Sequence, residues 1–350
     1  MTLSNKSLSS KRRGLKVGQN IIIIAALAVL VTIFAAINRN FLDSDNLVSM
    51  SQSLAPYAIM GLGVTFVIAT GGIDLSIGTV CIAAAVVAGK LYTSGMPLWA
   101  TIPVMIIIGL LFGLINGLLV AKLKLPAFIA TLGTMMFSRG LSALIVAVPN
   151  VFFPTGVWYN NVFSRWNGVP TGLLWVVALA LVCAYFMYKN RVGRYILAIG
   201  SNEEATRLSG INTDKYKMIA YTISGMAAGI AAIFWSASFA TVATATGNGM
   251  ELDAIAGVYI GGTSAAGGVA SISGSVIGAI LLVVIRSGLN FALAKFNLNL
   301  NSTYVTYVLT GIIVVVAVLM DVIKTKNQGK VKISKEKSVE GAQNNAEKNE

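Results

Sequence analysis

Five ionisable residues lie inside or beside long apolar stretches, where a charge is costly unless it faces protein, water or a partner. They are Asp74, Arg139, Glu251, Asp253 and Arg286. Two chemistries fit them. In one, Asp74 or Glu251 carries a proton in a relay. In the other, which we favour, the carboxylates form structural ion pairs with Arg139 or Arg286.

Several other chemistries are excluded by residue types that the sequence lacks. No histidine occurs, and the two cysteines, Cys81 and Cys183, lie in apolar stretches without ligand-like neighbours. Zinc sites, haem ligation, Ser-His-Asp triads and a disulfide framework therefore do not fit, and we expect no metal and no cofactor. No Gly-Lys pair is followed by Ser or Thr, so the chain has no P-loop for ATP. We expect that it is not an enzyme.

The composition is that of a membrane protein. Of the 350 residues, 56% are hydrophobic and 11% are charged, whereas soluble domains have about 45–50% and about 25%. The net charge of +13 comes from basic residues that flank apolar stretches. A positive-inside bias explains this pattern better than nucleic-acid binding does. We therefore expect lipid around the chain and no nucleic acid.

The apolar stretches predict about ten transmembrane helices, each near the roughly 20 residues that cross hydrocarbon or else short and broken by glycine. They are 21–37, 57–70, 77–89, 98–121, 126–148, 172–188, 218–240, 254–270, 274–294 and 303–320. The short or broken ones are 57–70, 77–89 and 254–270. The predicted fold is an all-α polytopic membrane protein with one transmembrane domain, residues 20–323.

Lysine and arginine counts predict the orientation of this domain. Five basic residues lie in the arm 1–19, six in the loop 189–217 and seven in the tail 324–350, but only one in the predicted outer loop 149–171. With ten spans, the arm, the loop 189–217 and the tail lie on the same side. Both termini are therefore predicted to be cytoplasmic. The tail mixes lysine with glutamate without a helical apolar period, so we expect it to be disordered.

Two junctions between spans resemble each other. Ala-Thr-Gly at 69–71 precedes Asp74, and Ala-Thr-Gly at 245–247 precedes Glu251 and Asp253. In the predicted topology the chain reaches the two junctions from opposite sides of the membrane. The two halves are therefore predicted to be inverted repeats.

Glycine-broken backbone at membrane depth leaves amide and carbonyl groups unpaired unless protein or a water-filled cavity satisfies them. We therefore interpret residues 70–76 as part of a lined pathway. Isolated glycines, as in 109–113 and 267–268, are interpreted as sites of close helix packing. The candidate pathway residues are Thr70, Gly71, Gly72, Asp74, Ser76, Thr246, Asn248, Glu251 and Asp253.

The most specific local pattern is Gly-Ser-Asn-Glu-Glu-Ala-Thr-Arg-Leu-Ser-Gly-Ile at 200–211. It predicts a short helix in which Ser201 and Glu204 form a capping box, Glu203 faces Arg207 and Gly210 supplies the left-handed stop. Its apolar face consists only of an alanine and a leucine, so the helix needs a surface to pack on. That surface is either another protein or the chain's own membrane domain. The predicted docking residues are Ser201, Asn202, Glu203, Glu204, Ala205, Arg207, Leu208, Ser209 and Gly210.

Three motifs in register resemble the permease subunits of bacterial ATP-binding-cassette importers for monosaccharides of the ribose, galactose, xylose and arabinose type. The first is Thr-Gly-Gly-Ile-Asp-Leu-Ser at 70–76, and the second is the loop 193–211. The third is Glu-Leu-Asp-Ala-Ile-Ala at 251–256 followed by Gly-Gly-Thr-Ser at 261–264. The resemblance covers about residues 20–323 and looks closest to the ribose branch.

This resemblance implies a type II importer-like permease that forms a homodimer in the bacterial plasma (inner) membrane. It implies two further partners, a cytoplasmic ATPase that hydrolyses ATP and an extracytoplasmic sugar-binding protein. Residues 201–210 match the family's coupling helix, which sits in a cleft of the ATPase. For a neutral sugar, the pathway lining is expected to include Thr70, Ser76, Thr246 and Asn248.

Two other functions fit parts of the sequence. The inverted repeat, the broken helices and the intramembrane carboxylates also predict an ion-coupled secondary transporter that needs no ATPase. Such a transporter would lose its function with Asp74→Asn. The docking helix alone would also fit a membrane scaffold or receptor that transports nothing.

Overall fold

A computed structural model describes residues 21–247, 249–296, 304–312, 315–316 and 318–319. The predicted arm 1–19, Asn248 and the tail 324–350 lie outside these residues. The helices before the loop 189–217 are α1 (Ile21–Ile37), α2 (Ser44–Ala69), α3 (Ile77–Thr93), α4 (Leu98–Gly117), α5 (Ala127–Val146), α6 (Trp158–Phe163) and α7 (Thr171–Tyr188). The later helices are α8 (Arg191–Ser201), α9 (Glu203–Leu208), α10 (Thr213–Ser238), α11 (Met250–Ile260) and α12 (Ile272–Lys295), and residues 304–312 are also helical.

Three smaller elements complete the described part of the chain. A 3-10 turn, Arg39–Leu42, precedes α2, and a π-helical turn, Leu118–Lys122, extends α4. Strands β1 (Asn150–Phe152) and β2 (Thr241–Ala243) pair antiparallel, with Val151 opposite Val242. This small sheet is a departure from the predicted all-α fold.

In the described part of the chain, six helices are long and apolar enough to cross a membrane. They are α2, α4 with its π turn, α5, α7, α10 and α12. Helices α1 and α3 are apolar but shorter, and α11 has only 11 residues. The polytopic helical membrane fold is therefore confirmed, and the total of ten spans stays a prediction.

The predicted short span 57–70 is wrong at its start, because α2 begins at Ser44 and has 26 residues. Polar side chains in its first turns obscured this in the sequence. Two of these side chains find hydrogen-bond partners in residues outside α2. The Asn46 amide donates to the Phe41 carbonyl at 2.6 Å, and the Gln52 amide donates to the Ser164 hydroxyl at 2.7 Å.

Proline and side-chain caps set where several helices begin. Pro97, Pro126 and Pro170 directly precede α4, α5 and α7. Proline suits a helix start because it has no N–H group to leave unpaired there. Helices α10 and α12 are preceded instead by Asn212 and Ser271, whose side chains accept hydrogen bonds from backbone N–H groups of the first turn.

Helices α2 and α10 form the centre of the bundle. Helix α10 packs against α2, α3 and α4, while α2 also packs against α7, α11 and α12. In the most apolar 18 residues of each helix, 83% are buried in α2 but only 17% in α7. The peripheral helix α7 exposes Leu174, Val177 and Leu181. These side chains suit contact with lipid tails, which are as apolar as leucine.

Helices α4 and α10 touch through their backbones. A Cβ atom added to Gly109 would collide with the backbone of Gly225, and one added to Gly113 with that of Tyr221, while one added to Gly225 or Gly229 would collide with α4. The predicted close packing at residues 109–113 is therefore confirmed. Glycine permits such contact because it has no side chain that would hold the two backbones apart.

We expect Gly225→Ala to destabilise the protein, because its new methyl group has no space beside Gly109. Overpacking of this kind costs about 1–3 kcal/mol, so the melting temperature in detergent should fall. Gly133→Ala on α5 is the matched control, since nothing lies within 4 Å of its Cβ position. Equal melting temperatures for the two variants would contradict the backbone contact.

Candidate functional site

The chain leaves the helical conformation between α2 and α3 and buries a carboxylate there. Gly71 adopts a φ of 81°, which a residue without a side chain tolerates best. Asp74 is only 1% exposed. One of its oxygens, Oδ1, accepts hydrogen bonds from the backbone N–H of Ser76 at 3.0 Å and from the Ser76 hydroxyl at 2.7 Å. Asp74 is therefore fixed by the first residues that lead into α3.

Two further helices contribute to this polar cluster. Ser224 of α10 donates to Oδ2 of Asp74 at 2.7 Å. Asn116 of α4 donates to the Ser76 hydroxyl at 2.8 Å. The predicted ion pair is wrong for Asp74, because its hydrogen-bond partners among the described residues are all neutral. Hydroxyl and amide donors satisfy this carboxylate without a cation.

Asp253 forms the ion pair that Asp74 does not. The Arg286 guanidinium donates to Oδ2 of Asp253 and, at 2.8 Å, to the Tyr57 hydroxyl. Its central carbon also lies 5.1 Å from the centroid of the Tyr57 ring. Thr310 contacts the other carboxylate oxygen of Asp253 at 3.4 Å. The predicted structural pairing is therefore present for Asp253 and Arg286, and it ties α2, α11 and α12 together.

Glu251 and Arg139 are held differently. Oε1 of Glu251 accepts from the backbone N–H of Gly249 at 3.2 Å. Within the described ranges, Oε2 of Glu251 and Nη2 of Arg139 are buried without a hydrogen-bond partner. No ion pair joins these two residues there, so the pairing predicted for Glu251 is wrong. The Glu251 carboxylate packs instead against Gly78 in the first turn of α3.

The predicted pathway residues fall into three groups. Those in 70–76 surround the end of α2, where the Thr70 hydroxyl bonds back to the Val67 carbonyl at 2.7 Å and Gly72 lies against the Tyr221 hydroxyl. Glu251, together with Gly247 of the same junction, approaches the first turn of α3. Asp253 faces α12 instead. Asn116 and Ser224 lie beside the first group. They were not predicted, because nothing in their local sequence distinguishes them from other polar residues within apolar helices.

The predicted docking helix is present but is capped differently. Helix α8 continues through Ser201, whose hydroxyl bonds to the Leu197 carbonyl. Asn202 is therefore the first residue outside it and caps α9, accepting from the backbone N–H of Ala205 at 2.9 Å. The predicted capping box with Ser201 is wrong. Gly210 has a φ of 81°, as its predicted role as a stop requires.

Ion pairs attach α9 to α10 and stabilise its own turn. Glu203 pairs with Lys217 of α10, and Glu204 pairs with Arg207. The predicted contact of Glu203 with Arg207 is therefore wrong. The hydrogen bond from Arg207 to Glu204 raises the pKa of Arg207 above its usual value. Leu208 is 80% exposed, so the apolar side of α9 does not pack on this chain.

A backbone junction joins α8 to two interruptions of the helices. The N–H of Gly268, between α11 and α12, donates to the carbonyl of Ala69 at 3.0 Å. A Cβ atom on Gly200 would collide with both groups. Gly267 and Gly268 have φ values of 82° and 73°. They form a turn and do not lie within a helix, but the predicted close packing is present, because a Cβ atom on either would collide with the end of α8.

A cavity, here named the distal cavity, lies at the end of the bundle opposite to α9. It has a volume of about 320 Å³ and lies between the first half of α2, the end of α10 and the second half of α12. Its lining includes Ser49, Ser53, Trp235, Phe239, Arg286 and Asn290. The sequence did not indicate this cavity, because the predicted span 57–70 left out the polar first turns of α2 that line it.

Long apolar helices around buried polar clusters and broken segments define a multi-pass membrane protein of the transport type. The family model described as "Branched-chain amino acid transport system / permease component" matches residues 46–318. This match spans well over half of the chain, which therefore belongs to that permease family.

Similar proteins carry sugar import names. The ribose import permease protein of Escherichia coli strain K12 is 36% identical over 304 residues, which is 85% of this chain and 92% of that protein. The ribose import permease protein of Bacillus subtilis strain 168 is 36% identical over 84% of this chain and 90% of its own. The fructose import permease protein of Bifidobacterium longum is 35% identical over 75% of this chain and 78% of its own. No solved structure matches the chain.

We expect Asp253→Leu and Arg286→Met to be destabilising singly but much less so together. Each single change leaves one buried charge unpaired, at a cost of about 3–5 kcal/mol, whereas an apolar replacement of both partners is often neutral. Melting temperatures of the four proteins in detergent measure this. If the melting temperature of the double variant fell by the sum of the decreases in the two single variants, the pairing would be contradicted.

Proposed function

We propose that this chain is the membrane-spanning subunit of an importer that moves a monosaccharide, ribose or a related sugar. The observation that carries this proposal is its similarity to ribose import permeases of two bacteria over at least 84% of this chain. Fructose import by a further relative supports the same substrate class. Since the chain has no P-loop, ATP is hydrolysed in a separate partner protein.

The ATPase binds at α9. This helix is capped by Asn202 and attached to α10 through Glu203 and Lys217, so it is held at a defined position. Its Leu208 is 80% exposed although apolar. A partner surface that covers Leu208 would remove this apolar area from water, which favours association. The docking residues are those predicted from 201 to 210.

The backbone junction gives α9 a mechanical connection to the membrane domain. Helix α8 ends one residue before α9 begins, and its Gly200 touches Ala69 and Gly268. A displacement of α8 and α9 by the ATPase would therefore move the end of α2 and the turn before α12 together. These are the interruptions beside residues 70–76, through which we expect the sugar to pass. Alternating access follows if the arrangements of the membrane domain before and after this displacement differ in their affinity for the nucleotide-bound ATPase.

The assembly contains a second copy of the chain and an extracytoplasmic sugar-binding protein. The domain 20–323 crosses the bacterial inner membrane ten times, in two inverted halves, with both termini on the cytoplasmic side. The short helices α3 and α11 support the inverted halves, since each follows a glycine-containing interruption and has a buried carboxylate near its start, Asp74 before α3 and Glu251 in the first turn of α11.

Asp74 supports a second candidate, an ion-coupled transporter that works without an ATPase. A buried carboxylate whose described partners are hydroxyl, amide and backbone donors suits reversible proton binding, because no fixed cation holds it ionised. The structural alternative is that Asp74 only connects the interruption to α4 and α10.

Reconstitution separates the two candidates. The chain is purified with every polypeptide that accompanies it from native membranes and is placed in liposomes with the sugar-binding protein. ATP-dependent uptake of labelled D-ribose supports the importer. Uptake driven by a proton or sodium gradient into liposomes that contain this chain alone, and abolished by Asp74→Asn, would establish the ion-coupled transporter instead.

We expect Leu208→Asp to weaken association with the ATPase strongly while the chain still inserts and folds, since Leu208 makes little contact within this chain. The matched control is Trp158→Asp, which changes an exposed apolar side chain on α6, at the opposite end of the bundle. Co-purification of the ATPase measures the effect. Equal recovery of the ATPase with both variants would contradict docking at α9.

A further inference from the structure

We propose that the distal cavity binds a neutral polyhydroxylated ligand, a monosaccharide, within the permease itself. This inference rests on the proposed import function and adds to it the place where the sugar is held. The cavity volume of about 320 Å³ falls at the lower end of the roughly 300–1,000 Å³ typical of small-molecule sites. A ligand of monosaccharide size therefore suits it.

Each helix presents one face to this cavity. Ser49 and Ser53 are four residues apart on α2, and Trp235 in the last turn of α10 is four residues before Phe239, which directly follows that helix. Residues four apart lie on the same side of a helix. Asn290 lies four residues after Arg286 on α12 in the same way. The polar and aromatic residues of these segments therefore converge on the cavity.

The polar wall has free hydrogen-bonding capacity. In the described part of the chain, the side chains of Ser49, Ser53 and Asn290 make no hydrogen bond with another residue. A serine hydroxyl donates one hydrogen bond and accepts others, and an asparagine amide does both through separate atoms. Sugar hydroxyl groups need this mixture of donors and acceptors.

The opposite wall is aromatic. The rings of Trp235 and Phe239 have centroids 4.6 Å apart, and Tyr57 meets Trp235 edge-on at 6.3 Å. These rings give a rigid apolar surface beside the polar wall. A sugar ring offers the matching pair of surfaces, since one face carries mainly C–H groups while hydroxyl groups surround its edge.

The charge in the cavity is balanced, and this selects a neutral ligand. A free guanidinium would favour a carboxylate or a phosphate. Here the guanidinium of Arg286 is already engaged by the Asp253 carboxylate and by the Tyr57 hydroxyl. A phosphorylated or acidic sugar would bring a second negative charge close to Asp253, whereas an uncharged sugar meets no such repulsion.

The ion pair also marks where the open space ends. A second space, between Tyr57, Asp253, Arg286 and the preceding turns of α12, has a volume of only about 10 Å³. That is at the limit of about 10–15 Å³ for a single water molecule. A sugar in the distal cavity would therefore rest against Arg286 and could not pass farther in this conformation.

Protection from chemical labelling tests the site directly. The complex with the ATPase carries Ser49→Cys in a Cys183→Ser background, and an uncharged thiol reagent modifies the new cysteine. We expect D-ribose to slow this modification and ribose 5-phosphate to slow it less at equal concentration. Ser94→Cys, which lies outside the cavity, should not be protected. Failure of D-ribose to protect, or stronger protection by ribose 5-phosphate, would overturn the proposal.

Second substitutions assign the contacts. Ser53→Ala and Asn290→Ala should each raise the D-ribose concentration for half-protection about two- to tenfold, which is the usual effect of losing one neutral hydrogen bond. Ser51→Ala is the matched control, because the Ser51 hydroxyl bonds to the Val48 carbonyl of α2 and does not line the cavity. An equal increase with Ser51→Ala would overturn the assignment.

The proposed import function is tested separately by ATP-dependent D-ribose uptake with the sugar-binding protein present. Uptake without protection of Ser49→Cys would overturn the cavity site and leave the import function standing. Protection without ATP-dependent uptake would do the reverse, because the sugar site would remain while the importer assignment failed.

Discussion

Backbone groups that leave a helix in apolar surroundings must find partners within the protein, and the arrangement of this chain follows from that constraint. The end of α2 and the turn between α11 and α12 share a hydrogen bond. The N–H of Gly268 bonds to the carbonyl at the end of α2, and within the same turn the N–H of Ser271 bonds to the Thr263 hydroxyl at 3.1 Å. The broken segments therefore lie together, and Gly200 at the end of α8 fits against them. These two interruptions therefore lie next to the segment that leads into α9.

Buried charges are accommodated in three ways. Asp253 has a cationic partner in Arg286, whereas Asp74 is held by neutral donors. Glu251 and Arg139 each keep one buried atom without a partner in the described part of the chain. Such atoms are costly in an apolar interior, so they favour any rearrangement that gives them a partner. Of the three, only the Asp253 arrangement gives a buried carboxylate an oppositely charged partner.

The sequence predicted features that depend on local pattern. The apolar helices α4, α5, α7, α10 and α12, the interruption near Asp74 and a short helix ending at Gly210 were all correctly located, because each has its own apolar run or turn residue. Features that depend on distant residues were missed. The first turns of α2 look too polar for a span until Ser164 is seen to satisfy Gln52. The cap of α9 shifts to Asn202 because α8 continues one residue farther than the capping motif suggests. The distal cavity needs three helices that lie far apart in the sequence.

The pairing of Arg286 with Asp253 has an electrical consequence. The transmembrane potential does work of about 2.3 kcal/mol per 100 mV on each elementary charge that crosses the membrane. Two opposite charges that move as one body have no net charge, so the field does almost no work on their displacement. A conformational change that carries α11 and α12 together would therefore be nearly electroneutral at this position. This pair would then add no dependence on the membrane potential to the rate of that change.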